Sequence, residues 1–415
     1  MIAHPGGSSL PVIEHPHLMK NYNRAPINFV RGEGVWLIDQ NGDRYLDLVA
    51  GIAVCALGHS HPAIVGAIAA QAATLVHCSN LYHHEPAGEL ANKLAEISGF
   101  DRVFFCNSGT EASEAAIKLA RKRAFRLGQT DRNVIVACTN SFHGRTLGAL
   151  AATDNPKYQE GFGPLPAGFT FTPFNDVASL EKAVTSKTAA LIIEPVQGES
   201  GIFPATNEFL TAAREITEKH GALLIFDEIQ TGMGRTGTLF AFEYYNVRPD
   251  VITLAKALAN GLPIGALLCT DEAAGALHPG DHGTTFGGSP VPCAAALAHL
   301  NLRDRMNLNA HVLNMGHILL LELREIANAD RERFGDPRGL GLMLGLPVMD
   351  PFSAKDIVQA ALDQQLLVNA AGSNTLRFVP PLIINEEELR EAMRRLRHAI
   401  ASSRVRQDEA TATGH

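Results

Sequence analysis

Residues 222–269, ALLIFDEIQTGMGRTGTLFAFEYYNVRPDVITLAKALANGLPIGALLC, contain three short apolar runs: ALLIFD (222–227), DVITLA (250–255) and IGALLC (264–269). Each is too short for a buried helix and too evenly apolar for a strand with one wet face. That pattern marks strands covered on both sides. Upstream, RVFFC (102–106), NVIVAC (133–138) and AALIIE (189–194) read the same way. Helical stretches near 110–126 and 207–219 lie between them. Short strands alternating with helices predict an α/β fold with a mostly parallel sheet flanked by helices. In such sheets ligands gather beyond the carboxyl ends of the strands, so chemistry is expected in the residues that follow each run.

The flanks differ from this middle. VWLIDQNGDRYLDL (35–48) predicts a hairpin, with Asn41-Gly42 as the turn dipeptide. Helices are expected at about 63–76 and 85–98. Beyond about 305 the spacing predicts helices near 309–328, 354–365 and 386–401, strands near 366–369 and 375–379, and a fraying tail from about 402. Residues 1–20, rich in Pro, Gly and His, read as irregular. The expected division is an N-terminal segment (1–60) that joins a smaller α+β domain (305–415), with a large domain (61–304) between them. A chain of 415 residues has room for this at roughly 100–200 residues per domain.

Composition narrows the function classes. Hydrophobic residues make up 46% and charged residues 19%, a globular mix. With Lys+Arg 35 and Asp+Glu 43, the formal charge is −8 and no basic run is present, which argues against a nucleic-acid partner. Cys55, Cys78, Cys106, Cys138, Cys269 and Cys293 form no CxxC pair and read as reduced thiols of a cytoplasmic protein. The N-terminus has no signal-peptide run, and no stretch reaches the ~18 apolar residues of a membrane span. His59, His61, His83 and His84 have metal-like spacing, but a zinc site needs three or four converging ligands, so no metal is expected. The glycines of GMGRTG (232–237) and GLGLMLG (339–345) read as turns.

Three strand ends carry chemistry-bearing residues. Asn107-Ser108-Gly109-Thr110-Glu111-Ala112 follows RVFFC and opens a helix. Its free N–H groups suit a phosphate, and an ordinary helix cap would look the same. Asp227 closes ALLIF and points toward the expected cleft, where a helix cap or a loop ion pair is the alternative. Lys256 follows VITLA as either a Schiff-base amine or a lysine that reaches solvent. Together they match the needs of pyridoxal 5′-phosphate: a seat for its phosphate, an acid for its ring nitrogen and an amine for its aldehyde.

The chain resembles the class III (fold type I) pyridoxal-phosphate aminotransferases. The resemblance runs from GEGVWLIDQNGDRYLDLVAGIAVCALGHSHP (32–62) to RFVPPLII (377–384), through NSGTEA, FHGRT, GFGP, EPVQGESG, FDEIQTGMGRTG, LAKAL and GTTFGG. It implies a seven-stranded sheet and a homodimer with shared active sites. It also implies roles by motif position. Ser108, Gly109 and Thr110 would hold the phosphate and Phe142 would stack on the ring. Asp227 would face the ring nitrogen, with Glu228, Ile229 and Gln230 beside it. Lys256 would form the Schiff base, and Thr285 would reach the neighbouring subunit's phosphate. Arg145 would hold the substrate's distal carboxylate and Thr284 would contact substrate. Arg377 would hold the α-carboxylate of glutamate, with Glu199 neutralising it when an ω-amine binds. Ser200 and Ser289 stand where the family usually has Gly and Asn.

Within the family the likeness is greatest to members acting on N2-acetyl-L-ornithine and 2-oxoglutarate in arginine biosynthesis. Succinylornithine, ornithine, GABA or N-succinyldiaminopimelate are alternative donors. A decarboxylase or aminomutase on the same fold is a more distant reading.

Overall fold

The apolar runs assemble into one seven-stranded sheet in a computed structural model that describes residues 15–412, with side chains to Ser403. Its strands, numbered in chain order, are β1 (Arg102–Cys106), β2 (Val134–Cys138), β3 (Phe169–Thr172), β4 (Thr188–Ile193), β5 (Leu223–Asp227), β6 (Val251–Leu254) and β7 (Gly265–Cys269). Their order across the sheet is β1-β7-β6-β5-β4-β2-β3. All neighbours are parallel except β7, which runs antiparallel to both β6 and β1. The carboxyl ends of β1, β2, β4, β5 and β6 therefore open on one edge.

Burial follows the two-residue period of a strand. Leu191, Ile193, Leu224, Phe226, Ile252 and Leu254 pack into the larger core. The intervening Ala190, Ile192, Leu223, Ile225 and Val251 face a second core. That second face meets Ala115, Ala116, Leu119 and Ala120 of the helix Gly109–Arg126, whose small side chains let it lie close to the sheet.

β3 is a strand that the apolar runs did not reveal. FTFT alternates polar and apolar because it lies at the sheet edge, where only part of it is covered. The helix Pro290–Arg305 was also not anticipated: its Ala-rich sequence is buried on several sides and shows little amphipathic contrast. GLGLMLG holds more than turns. Arg338–Leu340 and Met343–Pro347 pair as a hairpin, turning at Gly341 with φ +53°.

The N-terminal strands Phe29–Glu33, Trp36–Asp39 and Arg44–Asp47 form a sheet with Leu366–Leu367, so the hairpin joins the C-terminal segment. Residues 15–28 carry no helix or strand, and the reading of residues 1–14 as irregular lies outside the described residues. The tail expected to fray from about 402 instead continues the helix Glu386–Ala412. There the Ser402 and Ser403 hydroxyls donate to the carbonyls of His398 and Ile400, and buried Ser403 also accepts from Arg333 Nη2 at 2.6 Å. Among the described residues no helix is long and apolar enough to cross a membrane.

Candidate active site

A cavity of about 390 Å³ opens at the carboxyl edge of the sheet. Ser108, Gly109, Thr110, Phe142 and Arg145 line it, as do Asp227, Ile229, Gln230 and Lys256.

At one end the helix Gly109–Arg126 presents its N-terminus. Ser108 Oγ accepts from the Glu111 N–H at 3.3 Å, and the Glu111 carboxylate reaches back to the Asn107 N–H at 2.6 Å. The N–H groups of Gly109 and Thr110 have no acceptor among the described residues. A Cβ at position 109 would lie 2.8 Å from Ile229 Cδ1, so any larger residue would have to displace the Ile229 side chain. Thr110 Oγ1 accepts from the N–H groups of Arg145 and Thr146, each at 3.1 Å, tying the loop after β2 to this end.

Asp227 stands at the carboxyl end of β5. His143 Nδ1 donates to Asp227 Oδ2 at 2.7 Å, and Asp227 Oδ1 accepts from the Ile229 N–H at 3.1 Å. Burial works to lower the imidazole's pKa, but the Asp227 contact outweighs it and raises the pKa of His143. Its Nε2 is buried and has no partner among the described residues. Glu194, just beyond β4, accepts from the N–H groups of Phe142 and Gly198, and burial pushes its carboxyl up to about 7.

Lys256 does not close β6, which ends at Leu254. It opens a 3-10 turn, Lys256–Ala259, with φ +35°. Burial lowers the pKa of its amine, favouring the neutral nucleophile. Beside it Arg377 Nη1 donates to Glu199 Oε1 at 2.6 Å, and Gln230 Nε2 reaches the same oxygen at 3.3 Å. Burial works to raise the Glu199 carboxyl, yet the charges of Arg377 and then Lys256 hold it below the ordinary value. Arg377 is fully buried and belongs to Thr375–Phe378, in the smaller C-terminal sheet.

Arg145 is the counterpart of this pair. It is exposed, and among the described residues its guanidinium has no hydrogen bond or ion pair. It lies over the Tyr158 ring instead, 3.5 Å from the centroid.

A family model, "Aminotransferase class-III", matches residues 18–400. The chain is 47% identical over 380 residues to an acetylornithine aminotransferase of Methanocaldococcus jannaschii, covering 91% of this chain and 94% of the relative. The chain belongs to the class III aminotransferases. Solved members superpose closely. The N-acetylornithine aminotransferase of Stenotrophomonas maltophilia is 40% identical, with a TM-score of 0.81 and coverage of 92% of this chain and 97% of that one. An ornithine aminotransferase of Toxoplasma gondii, solved with PLP at partial occupancy in its active site, is 32% identical with a TM-score of 0.91, covering 94% of each chain.

The class III cofactor, pyridoxal phosphate, fits the groups present. Two N–H donors without an acceptor among the described residues stand at the helix end, a buried carboxylate is held by an imidazole, and an amine whose pKa burial lowers shares the same cavity. Five expected site residues are not in the cavity lining: Arg377 and Glu199, paired beside Lys256, and Glu228, Thr284 and Thr285. The Glu228 carboxylate turns away and caps the helix Ala241–Tyr245, accepting from the N–H groups of Ala241 and Phe242 at 2.7 and 2.9 Å. Thr284 Oγ1 accepts from Asn107 Nδ2 at 3.1 Å, outside the cavity wall. Thr285 lies further off, beside His77, His84 and Ser289.

His143, Glu194 and Tyr158 were not anticipated. Glu194 ends the run AALIIE, so the strand-end rule that picked Asp227 applies to it equally. Three of the four histidines with metal-like spacing have structural partners: His59 bonds Asp47 at 2.8 Å, while His61 and His84 cap helices. Among the described residues no group of three or more His, Cys, Asp or Glu could hold a metal.

Proposed function

We propose that the enzyme transfers the δ-amino group of N2-acetyl-L-ornithine to 2-oxoglutarate, giving N-acetyl-L-glutamate 5-semialdehyde and L-glutamate, as a cytoplasmic homodimer of arginine biosynthesis. The observation that carries this reading is a pair of arginines in opposite states near one half-buried lysine. Arg377 is neutralised by Glu199, while among the described residues the Arg145 guanidinium has no ion pair. An acylated ornithine has an ω-amine with no carboxylate on the reacting carbon, and a carboxylate at its far end. Glutamate carries carboxylates at both places. A neutralised arginine near the lysine and a free one farther out suit both. The resemblance to acetylornithine aminotransferases supports the same choice.

When bound, pyridoxal phosphate supplies an aldehyde for the amine and a ring that takes up the electron pair left on the reacting carbon. The N–H groups of Gly109 and Thr110 and the Ser108 and Thr110 hydroxyls would hold its phosphate. Phe142 and Ile229 would bracket its ring. Asp227, oriented by His143, would keep a proton on the ring nitrogen. Lys256 Nζ takes the proton from the donor's δ-carbon and, in the second half-reaction, delivers one to C2 of the 2-oxoglutarate skeleton. Arg145 accepts the distal carboxylate of either substrate in a planar, bidentate fashion. Arg377 takes the α-carboxylate of glutamate once Glu199 has moved aside. With an ω-amine donor Glu199 stays, so no buried guanidinium is left unpaired.

The division into segments 1–60, 61–304 and 305–415 belongs to this reading, with the catalytic lysine on the large domain and Arg377 on the small one. The dimer is supported by exposed Leu81, Tyr82 and Phe286 on two segments that Asn80 ties together. The placement of Thr285 outside its own chain's cavity also fits a role at a partner's phosphate.

A panel of amino donors with 2-oxoglutarate tests the assignment. N-acetylornithine should be the preferred donor, and much faster turnover of ornithine, GABA or a succinylated donor would replace it. The purified enzyme should be yellow, and Lys256→Ala should lose both the colour and turnover.

A further inference from the structure

Arg145 is held by a ring rather than by a carboxylate. Its Cζ sits 3.5 Å from the Tyr158 centroid, close to contact thickness. An edge-on approach at that distance would drive a nitrogen into the ring, so the guanidinium lies flat. A flat-stacked guanidinium keeps its N–H edge in the plane and free, the orientation a bidentate carboxylate needs.

Tyr158 is fixed in turn. It belongs to the short helical turn Pro156–Gln159, and Gln159 Nε2 pins that turn to the carbonyls of Leu150 and Thr153 at 3.1 and 2.8 Å. Its ring meets Phe142 edge to face, with centroids 6.1 Å apart and planes at 84°. Its hydroxyl makes no hydrogen bond among the described residues, so the ring face is the part in use. Phe142 lines the cavity that holds Lys256. Two touching aromatics therefore set the spacing between the reacting centre and the seat for the distal carboxylate.

The geometry points to Tyr158 as a positioning residue that fixes the Arg145 guanidinium for the substrate's distal carboxylate, and so helps determine which amines the enzyme accepts. This rests on the reading of Arg145 as the carboxylate seat. Loss of the ring would leave a long, exposed side chain that must be ordered anew at each binding event. The cost falls on binding of carboxylate-bearing substrates and not on proton transfer at Lys256.

The test compares holoenzymes of wild type, Tyr158→Leu and Tyr158→Phe on a matched donor pair. One donor is N-acetylornithine, and the other is N-acetylputrescine, which is the same molecule without its carboxylate. Affinity for the unreactive N-acetylnorvaline is measured alongside by calorimetry. Tyr158→Leu should raise the KM for N-acetylornithine and the Kd for N-acetylnorvaline about 2- to 30-fold, the range of a cation–π contact, with kcat changed less than about twofold. The KM for N-acetylputrescine should stay put, and Tyr158→Phe should restore both values. Equal losses for the two donors, no change in either, or a Phe variant as poor as the Leu variant would overturn the proposal. A wild-type enzyme indifferent to the carboxylate would show instead that the Arg145 reading itself is wrong.

Discussion

Arg377 and Arg145 are the same residue in opposite surroundings. Arg377 is fully buried on a C-terminal strand and pairs with Glu199 at 2.6 Å. Arg145 is exposed on the loop after β2, and its nearest companion is a ring face. A buried guanidinium needs a permanent counter-charge, because leaving it unpaired in a dry site is costly. An exposed one is solvated when empty and can wait for a ligand. The chain supplies one carboxylate, and on our reading the substrate supplies the other.

That contrast makes its own predictions. The largest effect of losing Arg145 concerns binding. Arg145→Leu should lower kcat/KM for N-acetylornithine about 10- to 100-fold, the worth of charge-assisted hydrogen bonds, as read by steady-state kinetics. Stability should then reverse the ranking. In urea unfolding Arg377→Leu should cost about 2–4 kcal/mol, since it strands Glu199, whereas Arg145→Leu should stay within about 0.5 kcal/mol. If the two variants lose equal stability, the contrast drawn here fails.

A smaller effect sharpens the role of Glu199. Glu199→Gln leaves Arg377 charged and unneutralised, so the preference for N-acetylornithine over an α-amine donor such as glutamate should drop about tenfold, on the order of one strong hydrogen bond. The smallest effect is in pH. Glu199 is held below its ordinary value of 4.5 in the folded state, so the pair stabilises the fold above that value. Its contribution disappears as pH falls through the lowered folded value. Acid unfolding of Glu199→Gln should therefore be less steep in that window, while Arg145→Leu should follow wild type.

Much of this was legible in the chain before any coordinates. Six central strands announced themselves as apolar runs, because strands covered on both faces need no polar positions. Asp227, Lys256 and the Ser108–Thr110 turn stood at strand ends, where a parallel sheet must put its ligand. Pairwise facts were harder. His143 meets Asp227 across 84 residues of sequence, and nothing local to either marks the contact. Tyr158 and Arg145 meet only because a short turn folds back beneath the loop after β2. The direction of the Glu228 carboxylate was equally hidden: adjacent to Asp227 in sequence, it points the other way, as neighbours at a strand end do, and caps a helix. The strand FTFT escaped because an edge strand keeps polar side chains.

The central claim is that Arg377 serves only the substrate with a carboxylate on its reacting carbon, while Arg145 serves both. Single-turnover half-reactions of Arg377→Leu, followed by the cofactor's absorbance, test this most directly. The expected loss is about 100-fold or more with glutamate and less than about tenfold with N-acetylornithine, the size of a bidentate pair set against none. Equal losses in the two half-reactions, or a greater loss with N-acetylornithine, would contradict it.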